Sequence, residues 1–326
     1  MSETYWVGID LGGTKILSGV FDDQLKLLAR QKTRVGTDHA PEAVFARIVE
    51  NVNALLAEAK LEIGQVRAIG LGVPGQVDPR SERVRFAPNL NWRDLDLAQF
   101  LPPTWHCAIH PENDVKVGTY GEYVCGAAQG GRIVLGIFAG TGVGGGLILD
   151  GELFHGFNFN AGEIGHTIID WHTGTSLERV AGRRWLVQRA FEQLQDAPKR
   201  IRRNWRNLDP HKVKSSQLAE LYEKDDPLGV QLIDEAARAL AAAVASAVNL
   251  ISPQIIVIGG GMAGSLGPSF LERVWEVAQR YILPGAAEGV RCVAAALGDD
   301  AGITGAAALA RKRTLAHANQ PTGGHP

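Results

Sequence analysis

The chain alternates short apolar runs with glycine-rich breaks and amphipathic stretches, the pattern of an α/β protein. Tyr5–Leu11 and Ile16–Phe21 are apolar runs separated by Gly12-Gly13-Thr14-Lys15, which predicts a β-hairpin, and Leu25–Thr33 reads as a third strand. Val44, Phe45, Ile48, Val52, Leu55 and Leu56 recur at helical spacing, so 41–60 reads as an amphipathic helix. Val66–Gly72 and Trp105–His110 are further strands, and a helix is expected over 115–129. In the second half, Ile133–Phe138 and Leu147–Leu149 flank another glycine turn, helices are expected over 176–195, 228–252, 268–283 and 301–313, and Gln254–Ile258 is a buried strand. Three meandering strands, a helix and a further strand match half of an actin-like, ribonuclease-H-like unit.

The two glycine turns are the informative feature. Residues 7–22 can be laid over 135–150 without a gap, each reading strand, glycine turn, strand, aspartate. Residues 140–146 hold five glycines in seven positions, and such backbone can bring N–H groups close to phosphate oxygens. Gly140–Gly145 also satisfies G-x-G-x-x-G, but a strand follows where a dinucleotide-binding fold needs a helix, and no P-loop motif occurs. A duplicated hairpin with phosphate-sized turns suggests two similar half-molecules and a bound nucleotide. A tight hairpin without ligand is the alternative for either turn alone.

Composition narrows the function class. With 326 residues, 45% of them hydrophobic, the chain can fill two domain cores. A formal charge of −2 gives no global attraction to nucleic acid or anionic membrane, so small-molecule partners are expected. No apolar stretch reaches membrane-spanning length and no signal-peptide pattern opens the chain, which points to a cytoplasmic protein. Cys107, Cys125 and Cys292 are few and dispersed, and read as small buried hydrophobes. The basic run Lys199–Arg206 around Trp205 reads as a solvated helix or loop rather than a polyanion site.

Several residues could carry chemistry. Asp10 at a strand end could bind Mg²⁺ through water, while Thr14 and Lys15 could reach phosphate; Lys15 reads equally as a solvated hairpin lysine. Gly72-Val73-Pro74-Gly75 ends a strand with a chain turn, and Asn89 offers an amide suited to sugar hydroxyls or to a turn. Asp114, at a strand-to-helix junction, is placed to act as general base with Asn113 orienting the same substrate; either could instead cap the helix. Glu163, His166 and Glu178 could bind hydroxyls by charge-assisted bonds, with Glu178 also suited to a helix's first turn. Around His166 a metal motif is weak, since H-E-x-x-H is absent.

Taken together, Asp10–Lys15, Gly72–Gly75, Ala87–Leu90, Glu112–Asp114, Gly140–Gly146 and Ala161–His166, in that order, resemble the ROK (repressor, open reading frame, kinase) sugar kinases, over residues 5 to about 312. The resemblance implies an α/β, actin-like ATPase fold of two similar domains around a central cleft that closes on a hexose and MgATP. It divides the chain into a small domain, 1–114 plus about 300–313, and a large domain, 115–299; the tail, 314–326, with its Pro, Gly, Asn and His, is expected to be mobile. By it, Asp114 would deprotonate the sugar hydroxyl, and Gly75, Asn89, Asn113, Glu163, His166 and Glu178 would hold the sugar. Asp10, Gly12, Gly13, Thr14, Lys15, Thr141 and Gly142 would serve the phosphates and Mg²⁺, and Gly260 and Gly261 the adenosine. The family's usual cysteine cluster after the histidine is missing from Thr167–Glu178, so no structural zinc is expected and His166 must be oriented otherwise, for which a backbone or carboxylate bond to its second ring nitrogen would suffice. The implied activity is ATP-dependent phosphorylation of a hexose, glucose by default, with fructose, mannose or N-acetylhexosamine as alternatives and a homodimer as the expected assembly. A repressor of the same family would need a DNA-binding segment ahead of Asp10, where nine residues stand; a non-catalytic sugar-binding protein is the other rival.

Overall fold

The computed structural model describes residues 4–318. Two compact units form: residues up to Gln129, with His155–Ala161 and the stretch from Asp299 on, and a second unit of Gly130–Phe154 and Gly162–Gly298.

In the first unit the chain runs β1 (Tyr5–Leu11), β2 (Lys15–Phe21), β3 (Leu27–Arg34), α1 (Pro41–Ala59) and β4 (Val66–Val73). It continues through β5 (Gln76–Asp78), β6 (Arg83–Ala87), β7 (Trp92–Asp96), β8 (Ala108–Asn113) and α2 (Asp114–Cys125). The second unit holds β9 (Ile133–Ala139), β10 (Val143–Leu149), β11 (Glu152–Leu153), β12 (Ile168–Asp170), β13 (Thr175–Ser176), α3 (Leu177–Ala181) and α4 (Arg183–Gln193). Then come α5 (Lys199–Trp205), α6 (Ser215–Glu223), α7 (Pro227–Ile251), β14 (Ile255–Gly259), α8 (Gly260–Leu266), α9 (Pro268–Gln279) and β15 (Arg291–Ala294), and α10 (Ala301–Ala318) returns to the first unit.

The duplication read from the sequence is present at the level of topology. One sheet has the order β3-β2-β1-β4-β8 and the other β11-β10-β9-β14-β15, each an antiparallel meander extended by two parallel strands. The gap-free overlay fails by one position after the turn. Leu11 pairs with Ile16 across a four-residue turn, Ala139 with Val143 across a three-residue one.

The first sheet buries one face on α1, through Val44, Phe45, Ile48, Val52 and Leu55, and the other on α10, through Ile303, Ala307 and Ala310. α10 lies almost on the sheet backbone. A Cβ at Gly8 would stand 1.8 Å from the Ile303 carbonyl, and one at Gly70 1.9 Å from that of Ala306, so glycine at both positions sets the helix height. In the second unit the alanine-rich α7 packs on α9 and α3, and its N-terminus is capped by the Asp226 carboxylate, which accepts the Gly229 N–H and also bonds from Asn204 and the Trp205 indole.

Several expectations change in the structure. β8 starts later than the expected strand and runs through Pro111 to Asn113, which an edge strand tolerates because the missing N–H is not needed there. α2 stops at Cys125, where Gly126 follows and the Glu122 carboxylate takes the Ala127 N–H. The helix expected over 176–195 is two, broken at Gly182, which ends α3 and starts α4. α10 continues to Ala318 rather than ending at Arg313, so 314–318 is helix; the rest of the expected tail lies outside the described residues. The expected boundary after Asp114 falls inside the first unit, since α2 packs against α10. Cys107 is buried, but Cys125 and Cys292 are only half-buried. The basic run is helix α5, its cations exposed and its Trp205 buried. The β5–β7 sheet, α6 and β15 are additions to the elements read from the sequence.

Candidate active site

In the first unit the candidate residues gather at one edge. β1, β4 and β8 are parallel, with Asp10 beside Gly72, Gly72 beside Glu112, and Val73 beside Asn113. Their carboxyl ends therefore carry Asp10, the Gly72–Gly75 turn and Asn113–Asp114, the end at which open α/β sheets bind ligands.

Asp10 is half-buried, and α10 closes on it so tightly that a Cβ at Gly302 would be 3.0 Å from the carboxyl carbon. Burial pushes the Asp10 carboxyl up from 3.8 to about 6; the Lys15 charge opposes the rise and Asp299 adds to it. Such a carboxyl, with a second carboxylate near enough to raise it, has the hard oxygen chemistry that suits Mg²⁺. Beyond it Gly12 N–H donates to the Lys15 carbonyl at 2.9 Å, and Gly13 and Thr14 are exposed. The Lys15 ammonium pairs with Asp299 at 3.0 Å near the surface.

The Gly75 carbonyl accepts a bond from the Asn113 amide at 3.0 Å, and the Asn113 side-chain oxygen accepts Val115 and Lys116 N–H, each at 3.0 Å. Asn113 is thus the cap of α2 and the tie to the Gly75 turn. Asp114 is half-buried in the first turn of α2, where the helix dipole favours its charge, and it also accepts Val115 N–H. Asn89 is exposed in the turn between β6 and β7.

Glu112, Lys116, His155 and Arg313 form the part of the site that sequence reasoning missed. Glu112 is 1% exposed and accepts Asn113 N–H at 3.0 Å, His155 Nε2 at 2.8 Å and the Arg313 guanidinium at 2.6 Å. Burial pushes Glu112 up, but the His155 bond, the Arg313 charge and the Asn113 N–H outweigh it and hold the carboxyl below its usual range. Lys116, also 1% exposed, donates to the Phe159 carbonyl at 2.5 Å. The signal available in the sequence was a charged residue on either side of Asn113–Asp114.

In the second unit the glycine turn is held from one side. Arg183 N–H donates to Gly140 and Arg184 N–H to Thr141, while the Arg183 guanidinium reaches the Thr141 hydroxyl at 2.8 Å. Glu178 accepts Val143 N–H at 2.9 Å and closes over Gly142, where a Cβ would lie 2.2 Å from its carboxylate. The carboxylate expected on a sugar is therefore engaged by the phosphate-type turn. The Gly162–His166 motif rests on the same hairpin. A Cβ at Gly165 would stand 1.8 Å from the Val143 carbonyl, so only glycine allows Glu163 and His166 to hang from β10. Glu163 is half-buried and His166 exposed at the end of a 3₁₀ turn. The expected bond to the second ring nitrogen of His166 is not made by any described residue; backbone bonds of the turn hold the histidine instead. Gly260, at φ +88°, abuts the Ala139 carbonyl, and Gly261 lies against Ser215, so the triple glycine and the phosphate-type turn share the carboxyl ends of β14 and β9.

Where the family's cysteine cluster would stand, β12 and β13 form a hairpin closed by Asp170, which accepts His172 N–H and the Thr173 hydroxyl. Among the described residues no group of three or more His, Cys, Asp or Glu is arranged to hold a metal, and no helix is long and apolar enough to cross a membrane.

A glucokinase of Streptomyces coelicolor is 30% identical over 317 residues, covering 94% of this chain and 97% of its own. The crystal structure of a ROK family glucokinase from Streptomyces griseus in complex with glucose and AMPPNP superposes with TM-score 0.80 at 30% identity, over 95% of this chain and 99% of that one. A ROK hexokinase from Thermus thermophilus superposes with TM-score 0.78 at 31% identity, over 96% and 100%. The fold is the actin-like ATPase fold of these enzymes. The ROK family model matches residues 6–313, and the chain belongs to the ROK family.

Proposed function

We propose that this protein is an ATP-dependent hexose kinase with glucose as its foremost substrate and Asp114 as its general base. The observation that carries the reading is Asp114 at the carboxyl ends of the parallel strands that also bear Asp10 and the Gly75 turn. The similarity to sugar kinases across nearly the whole chain supports the reaction class.

In this reading the Asp114 carboxylate accepts the proton of the sugar 6-hydroxyl as the oxygen attacks the terminal phosphorus of ATP. The bond from that phosphorus to the bridging oxygen breaks, and ADP departs with the electron pair. Asn113 keeps the head of α2 against Gly75 and so orients Asp114, while Asn89, Glu163 and His166 bind other sugar hydroxyls. Backbone N–H groups of Gly12–Lys15 and Gly140–Gly142 cradle phosphate oxygens, with Gly260 and Gly261 bordering the nucleoside. Asp10 would hold Mg²⁺ through water, and the bound ion would supply positive charge to offset the charge on the phosphates. Glu178 stiffens the Gly140–Val143 turn through its bond to Val143. A homodimeric, cytoplasmic enzyme is part of the same reading.

The test is to incubate the protein with MgATP and glucose, fructose, mannose, N-acetylglucosamine or N-acetylmannosamine and to follow the products by ³¹P NMR. A hexose 6-phosphate formed in step with ADP is expected. Sugar binding by calorimetry without ATP consumption for any sugar would overturn the kinase reading in favour of a non-catalytic binding protein.

A further inference from the structure

The proposed chemistry uses Asn113 and Asp114, yet the buried charges on either side of that pair have no part in it. On one side stands Glu112, whose carboxylate accepts three donors: Asn113 N–H, His155 and Arg313. Arg313 also donates to the Pro111 carbonyl at 2.9 Å, so one guanidinium from α10 grips both residues preceding Asn113. On the other side stands Lys116, bonded to the Phe159 carbonyl.

Both sides hold the same strap. His155–Ala161 packs within the first unit, and Ala161 N–H donates back to the His155 carbonyl at 3.0 Å to close it. Phe159 sits at φ +62°, a backbone region a phenylalanine rarely adopts, with the Arg80 guanidinium 5.6 Å from its ring centre. Strain of this kind persists where surrounding contacts enforce it. A cluster needed only for folding could be replaced by apolar packing, often without loss of stability. A carboxylate shared by a backbone N–H, an imidazole and a guanidinium instead fixes directions.

We infer that Glu112, clamped by Arg313 of α10 and His155 of the strap, is the positioning residue for Asp114, fixing the Pro111–Asn113 backbone from which α2 springs and hence the direction of the base. The inference rests on the reading of Asp114 as general base. It makes Arg313, 201 residues from Glu112 in sequence, part of the reacting geometry without contact to substrate.

The full-length protein is compared with Arg313→Ala, Arg313→Lys, Glu112→Gln, His155→Ala, His155→Gln and Asp114→Asn. Turnover is expressed per site competent to bind ATP, counted by calorimetry, so that a partly unfolded sample does not pass for a slow one. Arg313→Ala and Glu112→Gln are expected to lower kcat per site by at least thirtyfold with KM for ATP within twofold. Arg313→Lys is expected to recover part of that loss, and His155→Gln, which keeps a donor, to recover what His155→Ala loses. Should Glu112→Gln fail to fold, the His155 pair carries the comparison. Unchanged kcat per site in Arg313→Ala and His155→Ala, with Asp114→Asn inactive, would overturn the inference and leave the base assignment standing. Full turnover in Asp114→Asn would remove the base assignment itself, and the inference with it.

Discussion

Replacing Asp10 by asparagine separates what this residue does for function from what it costs the fold. Burial raises the folded-state pKa of Asp10 from 3.8 to about 6, so the folded protein binds its proton more tightly than the unfolded chain does. For a carboxyl raised in this way, the stabilising contribution is fully present below 3.8 and is lost as pH rises through about 6. At about 1.4 kcal/mol per tenfold in proton affinity, the deficit above pH 6 is about 3 kcal/mol. The asparagine amide carries no charge at any pH. Urea unfolding without Mg²⁺ is therefore expected to show Asp10→Asn more stable than wild type by about 1 to 3 kcal/mol at pH 7.5, allowing for imperfect accommodation of the amide, and nearly equal to it at pH 3.5. Added Mg²⁺ is expected to stabilise the wild type and not the variant, while kinase activity of the variant falls steeply. A stability difference of the same size and sign at both pH values would refute the reasoning, since only the titration distinguishes them.

Other substitutions probe separate parts of the molecule. Gly165→Ala drives a methyl group into the Val143 carbonyl and is expected to lower the thermal midpoint by several degrees and to abolish sugar binding by calorimetry; a fully folded, binding-competent variant would contradict the packing described. Glu178→Ala removes the acceptor of Val143 N–H, and the loss of about 1 to 1.5 kcal/mol is expected to raise KM for ATP roughly tenfold; a rise confined to the sugar's KM would return Glu178 to the sugar site. Trp205→Phe deletes the indole bond to Asp226 and is expected to cost about 1 to 3 kcal/mol in urea unfolding with kcat and KM unaltered, a change in either constant counting against a purely structural role.

The parts of the fold legible in the sequence were those whose requirements are local. Glycine-rich breaks announced both hairpins because they interrupt two apolar runs, although none of Gly12, Gly13, Gly140 and Gly142 takes a positive φ and only Gly142 is closely covered, by Glu178; the apolar period of 41–60 announced α1. Asp114 stood out because a strand, an asparagine and a helix adjoin it. Boundaries went astray where a neighbour decided them: Pro111 suggested an end to β8, yet the edge position made its missing N–H harmless, and Gly182 divided a continuous helical pattern. The sharing of Glu178 between two conceivable duties depended on how α3 meets β10, which no local pattern encodes. The Glu112 clamp was invisible for the same reason, since His155 and Arg313 lie 43 and 201 residues away from it.

The decisive measurement for Asp114 as the base is single-turnover phosphoryl transfer by Asp114→Asn, with sugar and ATP affinities measured on the same samples. A rate lower by about 10² to 10⁴ is predicted, with both affinities within a few-fold of wild type, the range expected for loss of a general base. Transfer at the wild-type rate with both ligands bound would contradict that role.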